Sequence, residues 1–163
     1  MHMKRWFRHI TMAPWQVKRA FPSAVLAGIE AAIGACEKKH GGEIRFAVEG
    51  ALDVAALRAG QTARERAIDV FSHLRIWDTE YNNGVLIYLL LADRDVEIIA
   101  DRGIHGSVGA GGWEDICREM EAAFRQGDYE KGVLAGIQMV SDHLAKHFPA
   151  SGRHELPDAP VLL

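Results

Sequence analysis

Residues 85–92, Val-Leu-Ile-Tyr-Leu-Leu-Leu-Ala, constrain the fold more than any other stretch, because they are apolar on both parities. Successive side chains of a strand point to opposite faces, so such a strand has to be covered on both. The run predicts a central strand with helices above and below it. It is far shorter than the roughly 18 apolar residues that a membrane-crossing helix requires. The charged turn Asp93-Arg94-Asp95 follows and reads as solvated; a returning strand then covers 96–100. Upstream, residues 43–48 alternate strictly and put Ile44, Phe46 and Val48 on one face, which marks a second strand in the same domain.

Helical spacing fills the intervals. Val25, Leu26, Ile29, Ala32, Ile33 and Cys36 follow Ser23, which reads as an N-cap, and Gly41-Gly42 ends that helix. Residues 49–61 read as loop with a short helical turn. Thr62-Ala63-Arg64-Glu65 is a capping-box pattern and opens a helix over 63–74. Residues 101–112 contain five glycines and read as loop. Trp113, Ile116, Cys117, Met120 and Phe124 mark a third helix, ended by Gly127. Asp128 is placed to cap a fourth, which Pro149 stops. Val161-Leu162-Leu163 is placed to dock on the domain. Strands joined by a helical crossover are parallel when they share a sheet, and a hairpin is antiparallel. The fold class is therefore α/β: a three-layer α/β/α sandwich with a small mixed β-sheet. A basic aromatic segment (1–22) precedes the main domain (23–148), and a tail (149–163) follows it.

With 163 residues, 48% of them hydrophobic, the chain has enough material for one domain with a real core. A formal charge of −3 gives no electrostatic footprint for nucleic acid. Cys36 and Cys117 fall on apolar helix stripes and read as buried free thiols, which suits a reducing compartment. The N-terminus has no uninterrupted apolar stretch of the kind a secretory signal carries. The expected location is cytoplasmic. Lys4, Arg5, Arg8, Lys18 and Arg19 interleave with Trp6, Phe7, Ile10 and Trp15. Two readings stand here: an amphipathic segment docking on a membrane surface or partner, or a short helix packed on its own domain. Pro14 rules out one long helix.

The hairpin brings polar residues together. A turn near 93–95 puts Gly84 close to Gly103 and Val85 beside Arg102 or Gly103. Asp78, Glu80, Asn82 and Asn83 then meet Asp101, Arg102 and His105 at one edge, and a parallel strand 43–48 brings His40 and Glu43 there too. Carboxylates and amide carbonyls on glycine-bearing loops suit a hard cation such as Ca²⁺. The bland alternative is that Asp101 caps or bridges and Asn83-Gly84 only turns the chain. Trp77 is placed to wall a pocket. His143 and His147, spaced i,i+4, read as a solvated helix face. Gly109–Gly112 lacks the residues of a P-loop or dinucleotide site, and no GxSxG is present.

Asn83-Gly84-Val85-Leu86, the Gly103-x-x-Gly106 stretch, and Phe124-x-x-Gly127-Asp128-Tyr129 with Gly132 together resemble the TPM domain family over about residues 23–148. The resemblance, to bacterial members, implies an α/β/α sandwich around a small mixed sheet. It also implies calcium binding, known in some relatives, and acid phosphatase activity, credited to one plant lumenal relative. His105 stands where the family often has glutamate, and Ala110 where it has aspartate, so a cation here must draw on Asp78, Glu80 or Asp101. Two functions follow as expectations. One is a binding or accessory module for a membrane-associated partner, using Trp77, Asn82 and Asn83 at the polar edge and Trp6 and Trp15 in the N-terminal segment, at the inner face of the membrane. The other is a metal-assisted acid phosphatase, with Asp78, Glu80 and Asp101 holding Ca²⁺ or another divalent cation, Arg102 clamping phosphate and His105 as general acid.

Overall fold

The computed structural model describes residues 3–163; Met1 and His2, with which the N-terminal segment begins, lie outside the described residues. The order is α1 (Met3–Thr11), α2 (Pro14–Ala20), α3 (Ser23–Glu37), β1 (Glu43–Glu49), α4 (Val54–Ala59), α5 (Ala63–His73), β2 (Gly84–Leu90), β3 (Asp95–Ala100), α6 (Arg102–Arg125), α7 (Tyr129–His147) and β4 (Val161–Leu162). The sheet order is β3-β2-β1-β4. β1 runs parallel to β2, β2 antiparallel to β3, and β4 parallel to β1, so the sheet is mixed.

β2 is buried along its whole length, as a strand apolar on both faces must be. Val85, Ile87 and Leu89 join Ile44, Phe46 and Val48 in a core closed by α3, α6 and α7. Leu86, Tyr88 and Leu90 face the other way, into a second core closed by α4 and α5. Helices therefore cover both faces of the sheet, which is the three-layer sandwich.

Several local readings are corrected. The glycine-rich stretch 101–112 is mostly helix. Asp101 is the N-cap of α6, and the helix breaks once, at Gly109, whose φ of 76° is left-handed. Burial of Ile104 on the sheet outweighs the low helix propensity of the glycines. Pro22 occupies the N-cap of α3 and Ser23 is its first helical residue. The hairpin register is shorter than the sequence implied: Val85 pairs with Ala100. Leu91 and Ala92 leave the β2–β3 ladder for the turn, yet their amides still reach Glu49 O and Gly50 O at 2.9 Å, which holds them beside β1.

Among the described residues no single helix is long and apolar enough to cross a membrane. α2 and α3 have the length together, but they meet at 56°, and Ile29 and Ile33 of α3 are in the core.

Candidate functional site

The polar edge forms where β1 and β2 begin and β3 ends. Glu43 lies opposite Gly84. Asp101 N–H donates to Gly84 O, and Gly103 N–H donates to Asn82 O, both at 2.9 Å. A side chain at Gly103 would collide with the carbonyls of Tyr81 and Asn82, so glycine is required for this closure. Asn83 is fully buried; its Nδ2 donates to Gly41 O at 3.0 Å, tying the 78–83 loop to the α3–β1 loop. Asn82 is exposed and left-handed, at φ 52°.

Asp78 and Glu80 of this edge are already engaged in ion pairs. Asp78 pairs with Arg75 at 2.8 Å, and Arg75 lies over the half-exposed Trp77 ring. Glu80 pairs with Arg153 of the tail. Asp101 Oδ1 accepts from Arg102 N–H at 2.7 Å, leaving Oδ2 without a hydrogen-bond partner. Arg102 and His105 are exposed on the first turn of α6. His105 and Ala110 line a hollow of about 500 Å³ against β3, with Asp95, Glu97, Cys117 and Glu121 among its walls. Asp78, Glu80 and Asp101 do not line it. Burial, then the neighbouring carboxylates of Glu97 and Glu121, pushes Asp95 up to about 6. Burial pushes the Cys117 thiol up to about 12, so it is no thiolate nucleophile near neutral pH.

A second charged group lies beside this edge, where the tail crosses β1. Glu43 and Arg45 are both buried. Glu43 accepts from the amides of Glu155 (2.7 Å) and Leu156 (3.3 Å). Arg45 donates to the carbonyls of Pro157 and Ala159. Glu37 Oε1 accepts from Ile44 N–H at 2.9 Å, and its Oε2 is 3.1 Å from His154 Nδ1. Asp158 Oδ1 is 3.8 Å from the same imidazole nitrogen. Among the described residues, Glu37, His154 and Asp158 have donor atoms mutually within 4.8 Å, a spacing that a divalent ion could bridge. Burial is the main force that pushes the Glu37 carboxyl up to about 9, and it also raises Glu43. The signal for this group was in β1 itself: a strand covered on both faces cannot leave Glu43, Arg45 and Glu49 solvated on its second parity. Glu49 is met by a bidentate Arg66 and by the Tyr88 hydroxyl at 2.6 Å.

The N-terminal helices dock on the β2–β3 turn. Asp93, read as solvated, is instead their anchor. Arg5 Nε, Arg8 Nη2 and His9 Nε2 converge on its carboxylate at 2.9, 2.8 and 3.1 Å. Leu52 N–H donates to His9 Nδ1, so the ring hydrogen sits on Nε2, facing Asp93. Burial opposes ionisation of Asp93, but the hydrogen bonds from Arg5 and His9 outweigh it and hold the carboxyl below its usual range. Arg5, Arg8 and His9 of α1 thus engage the domain, while Lys4 stays exposed. Met3, Phe7 and Ile10 point outward, 83%, 70% and 64% exposed, and Trp15 of α2 is 59% exposed. Trp6 packs half-buried against the α4–α5 core. Between α1–α2, the turn and the start of α7 lies an open groove of about 920 Å³, whose walls include Arg8, Trp15, Arg19, Arg94, Lys131 and the acids Asp128 and Glu130.

A family model for the TPM domain matches residues 18–143. Among solved structures, the BA42 protein of the psychrophilic bacterium Bizionia argentinensis is 30% identical, with a TM-score of 0.77, covering 88% of this chain and 95% of that one. The N-terminal domain of a protein from P. gingivalis shares the fold at a TM-score of 0.64 and 19% identity, covering 81% of this chain and 82% of that one. A search of curated proteins found no match. With the mixed sheet, its two helical layers and the match over most of its length, the chain belongs to the TPM domain family.

Proposed function

We propose that this TPM-domain protein is a binding or accessory module that docks on an anionic membrane surface, at the cytoplasmic face, through α1 and α2. One observation carries the reading: α1 is amphipathic with its faces reversed, engaging Arg5, Arg8 and His9 on its own domain while Met3, Phe7 and Ile10 face water. Exposed apolar area is unfavourable by about 25 cal/mol per Å², and a stripe of large side chains regains that on entering an interface. Lys4, Lys18 and Arg19, exposed on the same two helices, supply the attraction for anionic headgroups.

Co-sedimentation with vesicles tests this. The full chain should pellet with phosphatidylglycerol-containing vesicles, weakly with phosphatidylcholine alone, and Phe7→Glu with Trp15→Ser should reduce partitioning about tenfold or more. Equal partitioning of the double variant would refute the assignment of this face.

The polar edge belongs to this reading as an interaction surface that also takes a divalent cation. A cation at Asp78, Glu80 and Asp101 must displace Arg75 and Arg153 and draw together three carboxylates that do not lie within bridging distance of one another, so its affinity is weak, around the millimolar range of open extracellular-type sites. Thermal unfolding in a Ca²⁺ titration should rise only at such concentrations and lose the rise in Asp101→Ala. Saturation at micromolar Ca²⁺ would contradict this picture of the edge.

A further inference from the structure

The C-terminal tail is bound to the domain as a peptide ligand is bound to a receptor. Residues 150–160 form no helix or strand, yet four main-chain groups between Glu155 and Ala159 are held by side chains of β1. The hydrogen bonds of the buried Glu43 side chain go to two successive main-chain N–H groups, those of Glu155 and Leu156. Those of Arg45 go to two main-chain carbonyls, of Pro157 and Ala159. β1 then takes Val161 and Leu162 as a parallel strand, and Leu163 N–H donates to Val48 O at 2.9 Å.

Burying a carboxylate and a guanidinium is unfavourable unless both are hydrogen-bonded. Here the tail provides that bonding, and it does so with main-chain groups and not with side chains. Recognition through main-chain bonds at a sheet edge, with a few side chains in pockets, is the pattern of strand addition. The pocket residue is Leu156, buried in the α4–α5 core. The Pro149–Gly152 linker ends in a left-handed glycine, at φ 71°.

We infer that the β1 edge, with Glu43, Arg45 and the Leu156 pocket, is a receptor for an extended segment, filled in cis by residues 153–163, and that its occupant in trans is the same segment of a second copy of this chain. The second copy's segment meets the same donors and acceptors in the same order, which is the condition for exchange of an identical element between protomers. The short linker gives the resident segment a high effective concentration, so cis occupancy prevails in dilute solution. The inference is independent of membrane docking, which uses the opposite end of the chain.

The test uses the full chain and a fluorescent synthetic peptide of residues 153–163, with binding read by anisotropy. In the wild type the resident segment competes, and apparent affinity falls with the fraction of open receptor. A chain carrying Leu156→Ala holds its own segment less tightly, so it should bind the wild-type peptide about tenfold or more tighter than the wild-type chain does. A peptide carrying the same change should bind that chain about tenfold or more weakly. Amide exchange of β2 checks that the variant is folded. In the wild-type chain the amides of Glu155, Leu156 and Leu163 should exchange faster than those of β2, because the segment lifts without global unfolding. Failure of the peptide to bind the Leu156→Ala chain, or exchange of those three amides no faster than β2, overturns the inference.

Discussion

The N-terminal helices are held by two guanidinium groups and an imidazole that converge on one carboxylate, whereas the C-terminal segment is held through its backbone at many points. The first arrangement concentrates the attachment in Asp93; the second distributes it along Glu43, Arg45 and the β1 edge. A focal attachment fails when one group is removed or protonated. A distributed one weakens by degrees. The difference also follows the chemistry on offer: α1 has satisfied its own backbone and can dock only by side chains, while an irregular segment still has N–H and C=O groups to pair.

The largest effect that this comparison predicts is at Asp93. Its carboxylate is nine-tenths buried, and Asp93→Ala strips Arg5 and His9 of their partner. Removing one member of a buried pair costs about 3–5 kcal/mol; Arg8 is half exposed, so about 2–4 kcal/mol is expected here. The sign against pH follows from its lowered pKa. The contribution is present above the ordinary carboxylate value of 3.8 and disappears as pH falls through the lower folded value. Urea unfolding of the wild type and Asp93→Ala at neutral and acid pH measures both. A loss below about 0.5 kcal/mol would mean that apolar contacts, and not the carboxylate, hold the helices.

Glu37, beside the C-terminal segment that crosses β1 as a strap, predicts the opposite pH dependence. Burial raises its carboxyl from 4.5 to about 9, so its protonated form is favoured in the folded state. The stability tied to that proton is complete below about 4.5 and is lost as pH rises toward about 9. Glu37→Gln keeps an oxygen for Ile44 N–H and removes the titration. It should flatten the decline and exceed the wild type by more than about 1 kcal/mol at pH 9, since one pKa unit corresponds to about 1.4 kcal/mol. Parallel stability curves for the two proteins across pH 5–9 would show that the carboxyl ionises freely in the fold.

These contrasts also explain what could be read in advance. The run 85–92 is apolar on both parities, and that alone implied the two cores and the central place of β2. Strand directions followed from the lengths of the connections, but the register did not: Gly84 meets Asp101, and Gly103 meets Asn82. Asp93 was not legible, because its partners are 84 to 88 residues earlier in the chain and ion pairs of that separation leave no periodic trace. The same holds for Glu37 and His154. α6 was missed over its first part because five glycines argue for loop locally. Its start depends on the Asp101 cap and on burial of Ile104, a tertiary term that no window of sequence contains.

The smallest predicted effect falls where the eye goes first. Arg153 pairs with Glu80 and lies 5.6 Å from the centre of the Tyr81 ring, the most conspicuous side-chain contact of the strap. Both charged side chains are about half exposed, at 48% and 47%, so solvent screens them. An exposed pair contributes about 0.2–1 kcal/mol, and an exposed cation–π contact about 0.5–1 kcal/mol. Arg153→Ala should therefore lower stability by no more than about 1 kcal/mol, with salt reducing even that. The amides of Glu155 and Leu156, tied to Glu43, should keep most of their protection. If instead the variant lost more than about 2 kcal/mol and both amides exchanged freely, the strap would depend on a focal side-chain charge as α1 does. The two ends of the chain would then be fastened by one principle.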